Sequence, residues 1–289
     1  MSREDNTMNS GSDLKKNHNM KLAFSTIGCP GWSFGDIISA AKDLKFDGIE
    51  IRGIGKEVYA PKCVQFSKDK IDGTIAALGP KLKISCLTTG ICLGAKEKEE
   101  AALKEAEDYA PLAAKLKVPY IRTMITDRPY PEETDVEHAL KVYRMICDMF
   151  KEKAPDTKVL VETNGILADT SKMREFIEKA GRDNSGVLWD INHPVRFFNE
   201  SVETTLQNIG EYVRYVHVKD SKVEDGKIVY RMMGYGDMPL FEALKALHQI
   251  GYDGYISLEW VKRWLPELQE PGIVFAQYIS YMSYLLTMI

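Results

Sequence analysis

Apolar residues in this chain recur with two alternating periods. Short runs rich in β-branched and aromatic residues lie at Leu22–Ser25, Gly48–Ile51, Ile84–Leu87, Tyr120–Met124, Val159–Glu162, Val187–Asp190, Tyr215–Val218 and Tyr255–Leu258. Between them, apolar positions spaced three and four apart predict helices at about Phe34–Lys45, Lys68–Leu78, Lys96–Leu116, Val136–Glu152, Ser171–Ala180, Val202–Tyr212, Leu240–Ile250 and Gly272–Leu286. Strands alternating with helices imply a parallel sheet, because each helix carries the chain back across a face. Residues 20 to 289 divided among eight such units give about 34 residues each, the length of a strand–crossover–helix repeat. The expected fold is therefore α/β, a single closed (β/α)8 barrel over 20–289. An open doubly wound sheet is disfavoured, since no G-x-G-x-x-G follows the first strand. Residues 1–19 (MSREDNTMNSGSDLKKNHN) offer little to bury and are read as a disordered tail.

Composition narrows the function classes. With 38 Lys+Arg against 42 Asp+Glu the net charge is −4, which gives no electrostatic footprint for a phosphate backbone. No nucleic-acid partner is expected. The 5 cysteines are odd in number and contain no C-x-x-C pair, and no apolar signal sequence precedes them, which reads as a reduced cytoplasm. The stretch Gly272–Ile289 is uncharged, but Gln277, two serines and three tyrosines interrupt it. It is read as a terminal helix buried against the domain or a second subunit, in a homodimer or homotetramer, and not as a membrane span.

Active sites of such barrels lie at the C-terminal ends of the strands, so what ends each strand matters most. The last four strands each end in a metal-type ligand: Glu162, Asp190, His217 and Glu259. A single strand-end charge commonly just faces solvent, but four successive ones converging on one mouth weaken that reading. Three carboxylates with one imidazole suit Mn²⁺ or Mg²⁺, with Zn²⁺, Co²⁺ or Fe²⁺ allowed by the histidine. Glu50 and Arg52 share a face of the second strand and Arg122 ends the fourth; they are candidates to bind substrate oxygens or to form an internal ion-pair network. Trp32, Trp260 and Trp264 are candidate walls of a sugar pocket, or plain packing. Val223–Val229 reads as a hairpin turning at Asp225-Gly226, which would return Arg231 towards the site, while Gly234 and Gly236 could present amides to an anion.

Several segments in this order resemble the sugar phosphate isomerase/epimerase family of xylose-isomerase-like barrels: Phe46-Asp47-Gly48-Ile49-Glu50, Val161-Glu162-Thr163-Asn164, Trp189-Asp190-x-x-His193, His217-Val218-Lys219-Asp220, Gly234-x-Gly236-x-x-Pro239 and Ser257-Leu258-Glu259-Trp260. That family includes ketose 3-epimerases, hydroxypyruvate isomerase and inosose dehydratase. The resemblance implies that Glu162, Asp190, His217 and Glu259 hold one divalent metal, that the two glutamates double as acid and base, and that His193, with an arginine near Arg231, contacts substrate. It implies an isomerase or epimerase of a sugar, sugar phosphate or related polyhydroxy carbonyl compound, acting through proton abstraction next to the carbonyl and a metal-stabilised ene-diolate. A dehydratase or lyase on an inosose or 3-keto-glycoside, or a non-catalytic metal-binding barrel subunit, are the alternatives. The related endonuclease IV pattern is incomplete, with no histidine between His18 and His138 and no Asp or His in 228–233. Asn164 stands where aldose isomerases carry a lysine, and Trp264-Leu265-Pro266 replaces a Trp-His-Pro found in relatives.

Overall fold

In the computed structural model, which describes residues 19–289, the eight apolar runs close on themselves. The strands are β1 (Lys21–Ser25), β2 (Gly48–Ile51), β3 (Lys83–Cys92), β4 (Tyr120–Met124), β5 (Lys158–Glu162), β6 (Ser185–Asp190), β7 (Val213–Val218) and, after a hairpin of β8 (Asp220–Glu224) and β9 (Lys227–Arg231), β10 (Tyr255–Leu258). All barrel pairings are parallel, and β1 joins both β2 and β10, which closes the sheet. Of the expected tail, all but Asn19 lies outside the described residues.

The helices are α1 (Phe34–Asp43), α2 (Ile71–Leu78), α3 (Glu99–Leu116), α4 (Val136–Lys153), α5 (Thr170–Ala180), α6 (Asn192–Phe198), α7 (Val202–Ile209), α8 (Leu240–Gln249) and α9 (Pro271–Leu286). Local chemistry sets several ends. Ser33 and Asp36 form a reciprocal capping box that starts α1, Asp135 accepts from His138 N to start α4, and Gly181 takes the left-handed conformation that stops α5. The face of α9 bearing Val274, Phe275, Tyr278 and Met282 is buried, while Ile273 and Tyr284 remain exposed. Among the described residues no helix is long and apolar enough to cross a membrane.

Outward-facing strand residues such as Val161, Val187, Val216 and Ile256 pack under the helices in the main core. Inward-facing Cys86, Leu160, Leu188 and Tyr215 form a separate apolar plug inside the barrel, flanked by Tyr120 and Tyr255. Gly48 is required beside it, since a Cβ there would lie 2.8 Å from both Ser85 Cβ and Tyr255 Cε1. Side chains alternate along a strand, so the inward layer above the plug holds Thr88, Arg122, Glu162, Asp190 and His217, two residues further on in each case. The fold thus places a polar layer directly over an apolar floor.

Candidate active site

Glu162, Asp190, His217 and Glu259 are all buried, and one ligand atom from each lies within 4.8 Å of the others. A cation bound at the usual 2.0–2.6 Å would span atoms about 4–5 Å apart, so the cluster has the right size. His217 Nε2 is 2.9 Å from Glu50 Oε2. A carboxylate only accepts, so Nε2 carries a proton and Nδ1 is the atom left to act as ligand. Nδ1 has no hydrogen-bond partner and faces Glu259 Oε1 at 3.6 Å, Asp190 Oδ2 at 3.9 Å and Glu162 Oε1 at 4.0 Å. A buried nitrogen so orphaned, inside a ring of carboxylates, fits a metal ligand oriented by a carboxylate behind it.

The neighbouring charges are accounted for. Arg122 Nε lies 3.1 Å from Glu162 Oε2, and the Lys219 ammonium bonds both Asp190 and Glu259. With His217 neutral, as a metal ligand has to be, four buried carboxylates, counting Glu50, face these two cations and leave two negative charges, which one divalent cation would neutralise. Burial pushes the Glu259 carboxyl up, but Lys219 and His217 outweigh it and hold it well below the usual carboxylate range. Burial opposes charge on His217 as well; Glu50 and Glu259 overcome it and raise its pKa to about 9. Lys219, buried between carboxylates, is likewise raised far above the ordinary lysine value despite its desolvation.

Above the cluster opens a cavity of about 740 Å³, within the range of small-molecule sites. Of these four residues, only Glu162 and Glu259 line it; Asp190 and His217 lie beneath. His193 also lines it; its Nδ1 donates to Thr163 O at 2.8 Å, while Nε2 lies 3.7 Å from Asp190 Oδ2. Tyr130 and Phe197 meet edge to face at 5.8 Å on one wall, and Trp264 stands on another, half exposed. A groove of about 850 Å³ between α7 and α8 contains none of these groups.

A family model described as xylose isomerase-like TIM barrel matches residues 38–276. The chain belongs to that family. Among solved structures, D-psicose 3-epimerase from Clostridium cellulolyticum H10 superposes with a TM-score of 0.72 at 18% identity, covering 92% of this chain and 99% of its own. A xylose isomerase-like TIM barrel protein from Mycobacterium smegmatis, solved in complex with magnesium, gives 0.72 at 14% identity over 95% and 99%. At these identities the likeness concerns the fold. An uncharacterized protein of Methanocaldococcus jannaschii is 36% identical over 98 residues, which spans 33% of this chain and 32% of that relative's length.

Within this xylose isomerase-like frame, the other residues singled out from sequence fall in different places. Arg52 and Arg122 line the cavity, and Arg122 also forms the internal ion pair with Glu162 that was the alternative for it. Glu50 does not: it is fully buried, bonded to His217 and to Thr88 Oγ1 at 2.9 Å, and supports His217 instead of lining the cavity. Arg231 turns away, because both oxygens of Glu224 across the hairpin hold its guanidinium at 2.8 Å; Tyr230, one residue earlier, lines the cavity in its place. Trp32 packs edge-on against Phe275 at 5.5 Å, and buried Trp260 donates to Gln269 O, so both are packing residues. Asn164, in the aldose isomerase lysine position, bonds Ile125 N and Thr126 O and ties β5 to the β4 loop.

The Gly234 and Gly236 amides do meet an anion, but an internal one. Both donate at 2.8 Å to Asp220 Oδ2, and Met238 N donates to Oδ1 at 3.3 Å. A Cβ on Gly236 would lie 1.8 Å from Asp220 Oδ1. Lys219 was not singled out as a site residue in the sequence, although it lies two residues beyond His217 and therefore on the same inward side.

Proposed function

We propose that the chain is a divalent-metal-dependent isomerase or epimerase of a polyhydroxylated carbonyl compound, acting by proton transfer at the carbon next to the carbonyl. The supporting observation is that Glu162, Asp190, His217 and Glu259 converge within 4.8 Å while only the two glutamates also face the cavity. Asp190 and His217 are then holders, and Glu162 and Glu259 are holders that also reach substrate. A divalent cation held by these four would stabilise negative charge developing on the substrate oxygens.

The remaining steps belong to the chain's own side chains. One glutamate takes the proton and the other returns it from the opposite side of the planar intermediate. Lys219 keeps Glu259 ionised and therefore able to accept, and Arg122 Nε, 3.1 Å from Oε2, holds Glu162 in place. His193, oriented by the Thr163 carbonyl behind it, is placed to contact a substrate hydroxyl. The apolar plug beneath keeps water from reaching the site from below.

The test is a screen of ketoses, inososes and keto-glycosides in deuterated water with Mn²⁺-loaded protein, read by mass. A gain of deuterium in one substrate class is the expected result. No exchange with any compound, with metal bound in full, overturns the reading, and loss of water in place of exchange moves the reaction to dehydration.

A further inference from the structure

Most cations on the cavity wall have a carboxylate. Arg122 pairs with Glu162, Lys219 with Asp190 and Glu259, and Arg128 approaches Glu132 at 3.7 Å. Among the described residues, Arg52 and Lys227 line the cavity with no carboxylate in ion-pair distance, and of these Arg52 is the one drawn into the protein while Lys227 is exposed. Arg52 Nη1 donates to Val58 O at 2.8 Å, and the main-chain N donates to Thr26 Oγ1 at 2.9 Å. Its Nη2 lies beneath Gly90, 3.7 Å from where a Cβ there would sit, and Gly90 also lines the cavity. An acid beside it, Glu105, lies outside ion-pair distance and accepts from Gly90 N through Oε1 at 2.7 Å. Burial, and then the cation Arg122, make the charge on Arg52 harder to keep; Glu105 supports it in part, although burial pushes the Glu105 carboxyl itself up. A cation drawn into the protein with no carboxylate in ion-pair distance, and only Glu105 near it, is costly unless something in the cavity answers it.

The usual alternative is closed. Barrels of this kind frequently bind an anion on the loops after the seventh and eighth strands. Here the Gly234 and Gly236 amides of that region are taken by Asp220. An acidic group entering the cavity therefore finds its free donor at the end of β2 instead. Arg52 stands one inward step, about 7 Å, beyond Glu50, which itself touches the ligand His217.

We propose that Arg52 receives an acid group, carboxylate or phosphate, carried by the substrate, so that the substrate is an anionic polyhydroxy carbonyl compound with its charge on the mouth side of the reacting carbon. The substrate part of this rests on the proposed function, whereas the anion site itself does not. The experiment titrates Mn²⁺-loaded protein with inorganic phosphate and, separately, with malonate, by calorimetry, for the wild type, Arg52→Met and Arg52→Lys. At least one anion is expected to bind the wild type, tenfold or more weakly to Arg52→Met, and with partial recovery in Arg52→Lys. Preference for phosphate assigns a phosphate ester, and preference for malonate a carboxylic acid. Metal uptake equal to wild type certifies the fold of each variant; if Arg52→Met fails that check, Arg52→Gln takes its place with the same loss expected. Absence of binding by both anions, or binding by the folded variant as tight as by the wild type, overturns the proposal. Arg52-dependent binding without any proton exchange in the deuterium screen overturns only the proposed function, and exchange of neutral sugars without anion binding overturns only this assignment.

Discussion

Glu50 on β2 and His217 on β7 meet across the interior of the barrel, Oε2 to Nε2 at 2.9 Å, although β1 and β10 separate their strands in the sheet. The contact fixes which imidazole nitrogen is left for a metal. Replacing Glu50 by Gln keeps the shape but removes the charge that raises the basicity of the ring. Metal affinity is expected to fall about 10–100-fold, the usual cost of losing such a partner, with the fold retained. Competition against a chelator of known affinity measures it. An unchanged affinity would show that Glu50 does not orient the ligand.

The same pair sets a pH dependence. The pKa of His217 is about 9 in the metal-free protein against an ordinary value of 6.5. A raised folded-state value means that the charged imidazolium stabilises the protein fully below about pH 6.5, and that this contribution is lost as pH climbs to about 9. Melting temperature of the metal-free protein should therefore decline across that window. Metal and proton compete for Nδ1, so apparent metal affinity should rise over the same window, with release of a proton on binding. Calorimetry in buffers of different ionisation enthalpy counts that proton, and a pH-independent affinity would contradict the assignment of Nδ1 as ligand.

The four candidate ligands were legible in the sequence for a physical reason. A buried strand shows its apolar residues as a run, and Glu162, Asp190, His217 and Glu259 each stood at the end of one. Strand limits were likewise readable, to the residue for β2, β4 and β10. The short helix Asn192–Phe198 was not, because seven residues with Pro194 near the start carry too little periodicity to register. Lys219 escaped notice because a lysine just past a strand usually points to water; only the carboxylates of Asp190 and Glu259, distant in sequence, make its burial tolerable. Arg231 was misplaced because a hairpin fixes strand pairing but not which neighbour faces inward; Glu224 decides that here. Half-buried Trp32 and buried Trp260 carried no signal separating packing from binding, whereas exposed Trp264 reached the cavity.

Asp220 offers a test of the loop that shapes the rim. Its carboxylate accepts from the amides of Ser221, Gly234, Gly236 and Met238, and it is fully buried. Asp220→Ala leaves those donors without an acceptor, at a cost of about 2–4 kcal/mol, since each bond to a charged group contributes roughly 1.5–3 kcal/mol and the loop relaxes in part. Gly236→Ala should destabilise as well, by driving a methyl group into the same carboxylate. Urea unfolding compares the variants, and a loss below about 0.5 kcal/mol for Asp220→Ala would mean that the loop does not depend on it.

Glu162 and Glu259 differ from Asp190 and His217 in reaching the cavity, and they differ from each other in their cation, Arg122 for one and Lys219 for the other. If they were ligands only, replacing either by Gln, which keeps one coordinating oxygen, would weaken metal binding modestly and lower all activities together. If they act from opposite faces of a planar intermediate, each substitution removes one proton transfer and spares the other. Glu162→Gln and Glu259→Gln are each expected to abolish net turnover while metal is retained at saturating concentration. For a carbon epimerisation, each variant should still exchange the substrate α-proton with deuterated solvent for one epimer alone, and the exchanging epimer should differ between the two. NMR of the exchange reads this directly. Equal residual exchange of both epimers in both variants would leave the glutamates as ligands and move the base to another cavity residue, with His193 next in line.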